Sequence, residues 1–240
     1  VIVYGLSASK VAEWLGVAQP VARGVMIVGA HSWAREIARA LADTGREVRL
    51  VDTNRQNIRE ARLAGLEAVY ANALSERTLD ELDLSQIGSM MALTSNDEVN
   101  SLAALHYAEH FGRSKVYQLS MHQDPRGLNQ LDLQQHGRCL FGRNITFEYL
   151  EQRFASGAII KKVRLTKEHG FGDFLATYGE NTVPLFIVDE SGDLKVFTTD
   201  NGLTPRAGHT VIALVDPVDP ALPETARLEQ VRALNSTEGM

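Results

Sequence analysis

The sequence is nearly devoid of cysteine. Cys139 is the single cysteine among 240 residues, so no disulfide can form within the chain. A protein without disulfides is typical of a reducing compartment. A lone cysteine beside Leu140 and Phe141 is expected to be buried, because free cysteine behaves as a small hydrophobic residue. We therefore predict neither a thiol chemistry nor a metal site at Cys139.

Long apolar runs are also missing. Residues 1–6 are apolar, but a bilayer-spanning helix needs about 20 such residues. Two interpretations stay open for this segment: the last turns of a membrane helix, or a short buried segment. Lys10, Glu13 and Trp14 interrupt the run, and no small-residue cleavage site follows it, so the sequence predicts no signal peptide.

The chain has no excess of positive charge. It carries 24 Lys and Arg against 30 Asp and Glu, a net charge of -6 at pH 7, and the basic residues are scattered. Proteins that bind nucleic acid usually carry a basic patch or stripe. We therefore expect no nucleic-acid partner. Hydrophobic residues at 44% and charged residues at 22% are close to the composition of ordinary globular domains.

From Gly24 onwards, strands and helices are predicted to alternate. Continuous apolar runs indicate strands buried on both faces, and the segments between them have helical spacing and end at glycines. The predicted strands are 25–28, 48–51, 66–70, 90–93 and 116–119. The predicted helices are one capped by Ser32, then 55–64, 75–82 and 97–111, the last with Val99, Leu102, Ala103 and Leu105 inward. This order predicts right-handed βαβ units and an α/β, Rossmann-like doubly wound parallel sheet over residues 24–120.

The pattern changes near residue 120. Residues 121–156 predict a polar connector followed by a helix at 145–154. Residues 157–216 predict a small α+β domain with strands at 159–165, 185–188, 194–197 and 211–215 and a hairpin turn at 189–193. We expect residues 1–23 to be the end of a membrane segment and a linker. Residues 217–240 predict a flexible tail, with helical spacing at 225–234.

The most informative motif, Gly29-Ala30-His31-Ser32-Trp33-Ala34, lies between the first strand and the first helix. It aligns with the G-x-G-x-x-G/A fingerprint of dinucleotide-binding proteins. Gly29 takes the first place, and Ala34 is an accepted residue at the third. His31 departs from the pattern, because its Cβ obstructs the close approach of the backbone to a pyrophosphate.

Other residues indicate a nucleotide crevice at the same edge of the sheet. Asp52 ends the second strand, where an acidic residue accepts hydrogen bonds from a ribose hydroxyl and repels the 2′-phosphate of NADP. The first helix directs its N-terminal N–H groups at this edge, where they attract anions. The predicted nucleotide-binding residues are Gly29, Ala30, His31, Ser32, Trp33, Asp52, Thr53, Asn54, Asn72, Ala73, Thr94 and Ser95.

His31 supports a second hypothesis. A helix N-terminus disfavours a charged imidazole, so His31 is expected to titrate below the ordinary histidine range and to tune ligand binding with pH. The alternative is a partly exposed loop histidine without a role.

Signals of catalysis are few. His169, Lys161, Lys162 and Asp173 show no spacing that a known chemistry requires. His106 and His110 are four residues apart on one helix, but a metal site needs at least a third ligand. We therefore expect the chain not to be an enzyme and predict no metal.

Four segments between Gly24 and Leu119 resemble the RCK family (regulators of K⁺ conductance, also called TrkA-type domains). They are VMIVGAHSWAREIARAL, VRLVDTN, AVYANALSERTLDEL and MMALTSNDEVNSLAALHYAEHFG. In the family, an apolar strand runs into a T-x-x-D-x-x-N turn, here Thr94, Asp97 and Asn100. The turn after the third strand is usually Gly-Asp-Ala. This chain has Ala71-Asn72-Ala73 there and so lacks an acidic contact.

Two further resemblances concern the rest of the chain. Residues 1–20 look like the last transmembrane turn and exit segment of a sodium/proton antiporter of the cation:proton antiporter class. Residues 157–215, with the Pro205–His209 turn, are similar to a TrkA-C-type domain. The resemblance implies the cytoplasmic regulatory region of such an antiporter, located at the cell membrane. It also implies a regulatory ligand, NAD(H) or an AMP-like adenine mononucleotide.

The resemblance further implies a homodimer through the RCK domains, whose rearrangement is felt by the chain's own transmembrane antiporter domain. Residues 97–111 and 128–133 are the expected dimer surface, and residues 7–23 the expected lever. Three alternatives stay open. They are a peripheral RCK subunit of a potassium uptake system, an NAD-dependent oxidoreductase, and a structural domain with an empty crevice.

Overall fold

A computed structural model describes residues 22–76, 78, 82–121 and 137–217 of the chain. The predictions for residues 1–21, for the connector at 122–136 with its dimer segment 128–133, and for the tail at 218–240 lie outside these residues. Half of the predicted helix 75–82 also lies outside them. The predicted domain boundaries therefore stay predictions.

A parallel sheet of six strands forms the first unit. Its strands are β1 Gly24–Val28, β2 Val48–Asp52, β3 Glu67–Tyr70, β4 Ile87–Ala92, β5 Val116–Gln118 and β6 Arg138–Cys139. They are ordered β3-β2-β1-β4-β5-β6, and every neighbouring pair is parallel. All five residues of β1 are buried, because β1 lies in the middle of the sheet with a cover on both faces. The predicted Rossmann-like α/β fold is confirmed.

Within the described residues, three helices connect these strands: α1 Ser32–Ala42, α2 Arg55–Leu63 and α3 Asp97–Phe111. The Asn54 side chain caps α2 by accepting hydrogen bonds from two backbone N–H groups, and Asn96 caps α3 in the same way. The prediction that Ser32 caps α1 is wrong. The cap is His31, whose side chain makes no capping hydrogen bond.

The predicted inward face of α3 is only partly correct. Leu102 and Leu105, expected inside, are 52% and 38% exposed, whereas Ala103 is buried as expected. The buried side also carries Asn100, Ser101, Ala104 and Tyr107. Apolar residues surround α3 on all sides, so periodicity selects no face. Two neighbouring alanines let the helix approach the sheet closely, and this side therefore packs inward.

A second, smaller sheet follows. It is antiparallel, with the order β7-β10-β8-β9, and its strands are β7 Ile159–Arg164, β8 Val183–Val188, β9 Leu194–Val196 and β10 Thr210–Val215. Two helices of the described chain accompany it, α4 Phe147–Ala155 and α5 Phe171–Tyr178. This sheet and these two helices form the second unit. The second sheet agrees with a small second domain. The sequence analysis did not predict α5 or the two-residue strand β6.

The two sheets share a hydrophobic core. One cluster of buried side chains contains Ile37 from α1, Leu150 from α4 and Phe186 from β8. A separate cluster on the other face of the parallel sheet holds Met90 and Tyr107. None of the helices that the structure describes is long and apolar enough to cross a membrane.

Because the core is shared, both units are expected to unfold together. Leu150→Ala, at a site 1% exposed, should lower the free energy of unfolding by about 2–5 kcal/mol. Leu175→Ala, at an α5 site 36% exposed, is the matched control and should cost less than about 1 kcal/mol. Urea unfolding followed by tryptophan fluorescence and far-UV circular dichroism measures both. Separate transitions in the two signals would contradict a shared core.

Candidate functional site

The carboxyl ends of β1 and β4 meet at Gly29. Its φ of +107° is a conformation that other residues rarely adopt. A Cβ at this position would lie 3.1 Å from the carbonyl oxygen of Leu93 and 3.4 Å from the backbone nitrogen of Thr94. Gly29 is therefore needed both for the turn and for the close approach of the two strand ends. Ligands of open α/β sheets bind at this point, where the connections of neighbouring strands diverge.

Asp52 joins the end of β2 to the glycine turn. Its Oδ2 accepts hydrogen bonds from the backbone N–H of Ala30 and from the Asn57 side chain, both at 2.8 Å. Its Oδ1 accepts the backbone N–H of Asn54, also at 2.8 Å. Each carboxylate oxygen has two lone pairs. Oδ1 therefore keeps capacity for one further donor, such as a ribose hydroxyl.

The N-terminus of α1 lies beside Asp52. Unlike α2 and α3, this helix has no side-chain cap among the described residues, and its first turn contains no acidic residue. The first N–H groups of a helix have no partner within the helix and carry a partial positive charge. This end of α1 therefore suits a phosphate or another anion.

The His31 side chain bridges the two strand ends. Its Nε2 lies 2.7 Å from the carbonyl oxygen of Leu93. A carbonyl only accepts, so Nε2 carries the proton and donates it. Nδ1 is buried and has no hydrogen-bond partner within the described part of the chain. The ring packs edge-on against Trp33, with centroids 4.1 Å apart, and against Phe147 of α4, at 5.0 Å.

Burial lowers the pKa of His31 below its ordinary value of 6.5. The hydrogen bond to Leu93 and the charges of Glu151 and Asp52 oppose this shift, and the charge of Arg35 adds to it. The direction expected from the sequence is confirmed, but its main cause is desolvation instead of the helix terminus. His31 is thus a packed, neutral residue and not a loosely exposed one.

The other predicted binding residues are placed in different ways. Trp33 is 1% exposed, and its Nε1 donates to Glu151 Oε2 of α4 at 2.9 Å. Its side chain therefore faces the second unit, and a ligand can meet only its backbone. Ser32 and Thr53 are exposed. Asn54 is committed to capping α2.

The turn after β4 is closed by Asn100. Its Oδ1 accepts from the backbone N–H and the hydroxyl of Thr94, at 2.9 and 2.8 Å, and its Nδ2 donates to the Thr94 carbonyl at 2.8 Å. Thr94 is therefore held rigidly at the crevice, and Ser95 beside it is exposed. After β3, Ala73 is buried and Asn72 is exposed, with its Oδ1 accepting the backbone N–H of Leu74 at 3.0 Å.

Sequence reasoning missed two residues that shape the crevice. Asn57 orients Asp52, and Arg35 donates to the carbonyl of Ala30 at 2.8 Å while pairing with Glu60 at 2.7 Å. Both lie in the first turn of a helix that follows the crevice loops. That position is the available signal, but the partners become visible only in three dimensions.

The residues that the sequence analysis examined as catalytic candidates make structural contacts away from the crevice. Asp173 accepts the backbone N–H of Gly170 at the start of α5, and the Lys162 amino group lies 3.9 Å from the Asp43 carboxylate. The backbone of His169 donates to the Thr166 hydroxyl. Over the described ranges, no group of three or more His, Cys, Asp or Glu side chains is arranged to hold a metal ion.

One part of the chain matches a known protein family. Residues 25–126 match the family model of the TrkA-N domain. No curated protein matches the chain.

Solved structures similar to the chain are distant. The NAD(P)-binding domain of an exopolyphosphatase-related protein from Archaeoglobus fulgidus is 20% identical, with 56% of this chain and 96% of that chain covered and a TM-score of 0.40. The TrkA-N domain of inner membrane protein ybaL from Escherichia coli is 15% identical, with coverages of 42% and 76% and a TM-score of 0.38. The GsuK channel bound to NAD is 13% identical, with 96% of this chain but only 45% of that chain covered and a TM-score of 0.41.

The buried imidazole predicts a pH-dependent stability. The pKa of His31 is lowered on folding, so the unfolded chain takes up a proton first as the pH falls through 6.5. The contribution of His31 is full above that pH and is lost as the pH falls towards its folded-state pKa. Wild type should therefore lose more unfolding free energy between pH 7.5 and 5 than His31→Gln, which cannot titrate.

Urea denaturation of both proteins at several pH values measures this difference. All other histidines are common to the two proteins, so their contributions cancel in the comparison. Two parallel profiles would show that His31 is not buried as described.

Proposed function

We propose that the chain is the nucleotide-sensing regulatory region of a membrane antiporter that exchanges sodium or potassium for protons. The observation that carries the sensing is the arrangement at the crevice, where Asp52 retains an acceptor beside the uncapped N-terminus of α1. The match of residues 25–126 to the TrkA-N domain supports it. The link to an antiporter rests on the resemblance of residues 1–20.

The positive end of α1 and the negative carboxylate of Asp52 together indicate which chemical groups a ligand would carry. A phosphate accepts N–H groups at the start of α1, and a ribose hydroxyl donates to Asp52 Oδ1. NAD(H) and AMP-like adenine nucleotides carry both groups. The 2′-phosphate of NADP would meet the negative charge of Asp52, so NADP should bind less tightly.

His31 is the group that responds to the ligand. Its imidazole joins the glycine turn to the end of β4 through Leu93, and in this proposal a phosphate that binds at the start of α1 displaces it from Leu93. The ring also contacts Phe147, so its release is felt by α4. A ligand shifts such an equilibrium only by binding one arrangement better than the other.

The same proposal assigns the partners and the location. The regulatory region acts on its own transmembrane domain from the cytoplasmic face of the cell membrane, as a homodimer. On α3, Leu102 and Leu105 are exposed apolar side chains one turn apart and form the proposed dimer surface. The chain has no catalytic role in this account, so added NADH should remain unconsumed.

Thermal unfolding with NADH, NAD, AMP, ATP and NADP tests the binding. A ligand at 100 times its Kd should raise the free energy of unfolding by about 2.7 kcal/mol. Asp52→Asn replaces one acceptor oxygen by a donor and should weaken binding by at least about tenfold, the loss of a hydrogen bond to a charged group. Asp43→Asn, at the far end of α1, is the matched control. Absence of stabilisation by every nucleotide would contradict the proposal.

His31→Gly tests the displacement. It removes the Cβ and the hydrogen bond to Leu93 that a ligand must break, which is worth about 0.5–1.5 kcal/mol. Nucleotide affinity should therefore rise by about 2–10-fold, as measured by isothermal titration calorimetry. His31→Gln keeps a donor for Leu93 and should stay close to wild type. An unchanged affinity in the glycine variant would mean that the imidazole does not stand in the ligand's way.

A further inference from the structure

The backbone at residues 22–24, where the chain enters the parallel sheet, packs tightly against β4. We call these residues the chain entry. A Cβ on Gly88 of β4 would lie 1.9 Å from the carbonyl oxygen of Ala22, so only glycine admits the backbone there. The backbone N–H of Gly24 donates to the carbonyl of Gln86 at 2.8 Å. These contacts fix the position of residues 22–24 at the amino edge of the sheet.

Arg46 links the chain entry to the second unit. It follows the turn after α1, and its guanidinium donates to the carbonyl of Arg23 at 2.9 Å. The same guanidinium donates to the carbonyl of Gly192, in the turn between β8 and β9. One side chain thus holds two backbone segments that are far apart in the sequence.

Arg23 contacts the same turn directly. Its guanidinium lies 3.4 Å from the Ser191 carbonyl and 3.2 Å from an Asp193 carboxylate oxygen. Both charged side chains are more than half exposed, so this ion pair alone stabilises little. Its value is that it directs the Arg23 side chain towards the turn.

The β8–β9 turn is preformed. The Asp189 carboxylate accepts hydrogen bonds from the hydroxyl and backbone N–H of Ser191 and from the backbone N–H of Asp193. These bonds, first the one from the Ser191 side chain, hold the pKa of Asp189 well below its usual range. The carbonyls of Ser191 and Gly192 therefore form a fixed acceptor surface for arginine side chains.

At the opposite edge of the parallel sheet, the second unit touches the crevice. Phe147 packs on His31, and Glu151 accepts from Trp33, both from α4. Leu150 of α4 and Phe186 of β8 belong to one buried cluster. The second unit therefore contacts the first unit both at the crevice, through α4, and at residues 22–24, through the β8–β9 turn.

We propose that the β8–β9 turn (residues 189–193) is the docking surface for the chain entry at Ala22 and Arg23, with Arg46 as the positioning residue. The inference rests on the proposed function, because the signal starts with a nucleotide at the crevice. A ligand that moves His31 displaces Phe147 and α4. The turn, which belongs to the same unit as α4, shifts with α4 relative to α1 and β1, and its contacts with Arg46 and Arg23 loosen.

Hydrogen exchange by mass spectrometry on the 240-residue chain tests this docking. The probe is the nucleotide of the thermal panel (NADH, NAD, AMP or ATP) that stabilises most. At saturation it should speed exchange in peptides covering residues 22–25 and 189–194 by about threefold or more. Peptides from the α3 side of the sheet are the internal control, and their exchange should stay unchanged if the effect is confined to these two segments.

Arg46→Met removes the bridge, with Arg39→Met on the outer face of α1 as the matched control. Without ligand, the Arg46→Met variant should already exchange quickly in both segments. Adding the nucleotide should then speed its exchange only slightly. Because coupling is reciprocal, it should also bind the nucleotide about fivefold more tightly. Arg23→Gln, which leaves Arg46 in place, should show both effects more weakly and remains available if Arg46→Met folds poorly.

The outcomes separate the two proposals. Nucleotide binding without faster exchange at these segments, or with equal affinity in wild type and both arginine variants, overturns the docking and leaves the sensing intact. No binding by any nucleotide overturns the sensing, and the coupling falls with it.

Discussion

A single hydrogen bond, from His31 Nε2 to the carbonyl of Leu93, links the glycine turn to the end of β4. It fixes the tautomer of the imidazole and holds the ring against Phe147, which is one of the contacts that α4 makes at this edge. A glycine at this position, as in the common fingerprint, would leave the route open and α4 without this contact. In the proposed function, this departure from the fingerprint is what couples the crevice to α4.

Charge balance explains why the crevice is stable without a ligand and yet suited to one. The Asp52 carboxylate accepts the N–H of Ala30 and thereby places a negative charge next to the positive end of α1. Oδ1 has one donor and room for another. The proposed nucleotide would add a phosphate to the helix terminus and a hydroxyl to Oδ1 without removing any of the protein's own hydrogen bonds to Asp52.

Local signals predicted a large part of this structure. Three features depend only on residues that are close together in the sequence. They are the apolar run of β1, the need for glycine at position 29 and the acidic residue at the end of β2. The observed ends of α3 coincide with the predicted ones because Asn96 and Gly112 mark them. The choice of its buried face failed, since it depends on how closely Ala103 and Ala104 approach the sheet.

Contacts between distant segments could not be predicted. His31 and Leu93 are 62 residues apart, Trp33 and Glu151 are 118 apart, and Arg46 and Gly192 are 146 apart. No spacing rule connects such pairs, because packing of the two sheets brings them together. Helix α5 was missed for a different reason, since its eight residues include a glycine and are too few for a clear period.

The most direct test of the account is the pKa of His31, measured by NMR titration of the histidine ring in the free protein and at nucleotide saturation. We expect a higher pKa with ligand bound, because the imidazole leaves its buried place on Leu93 and meets a phosphate charge. A pKa that stays the same or falls on saturation would show that the ring does not move, and it would contradict the route from the crevice through His31 to α4.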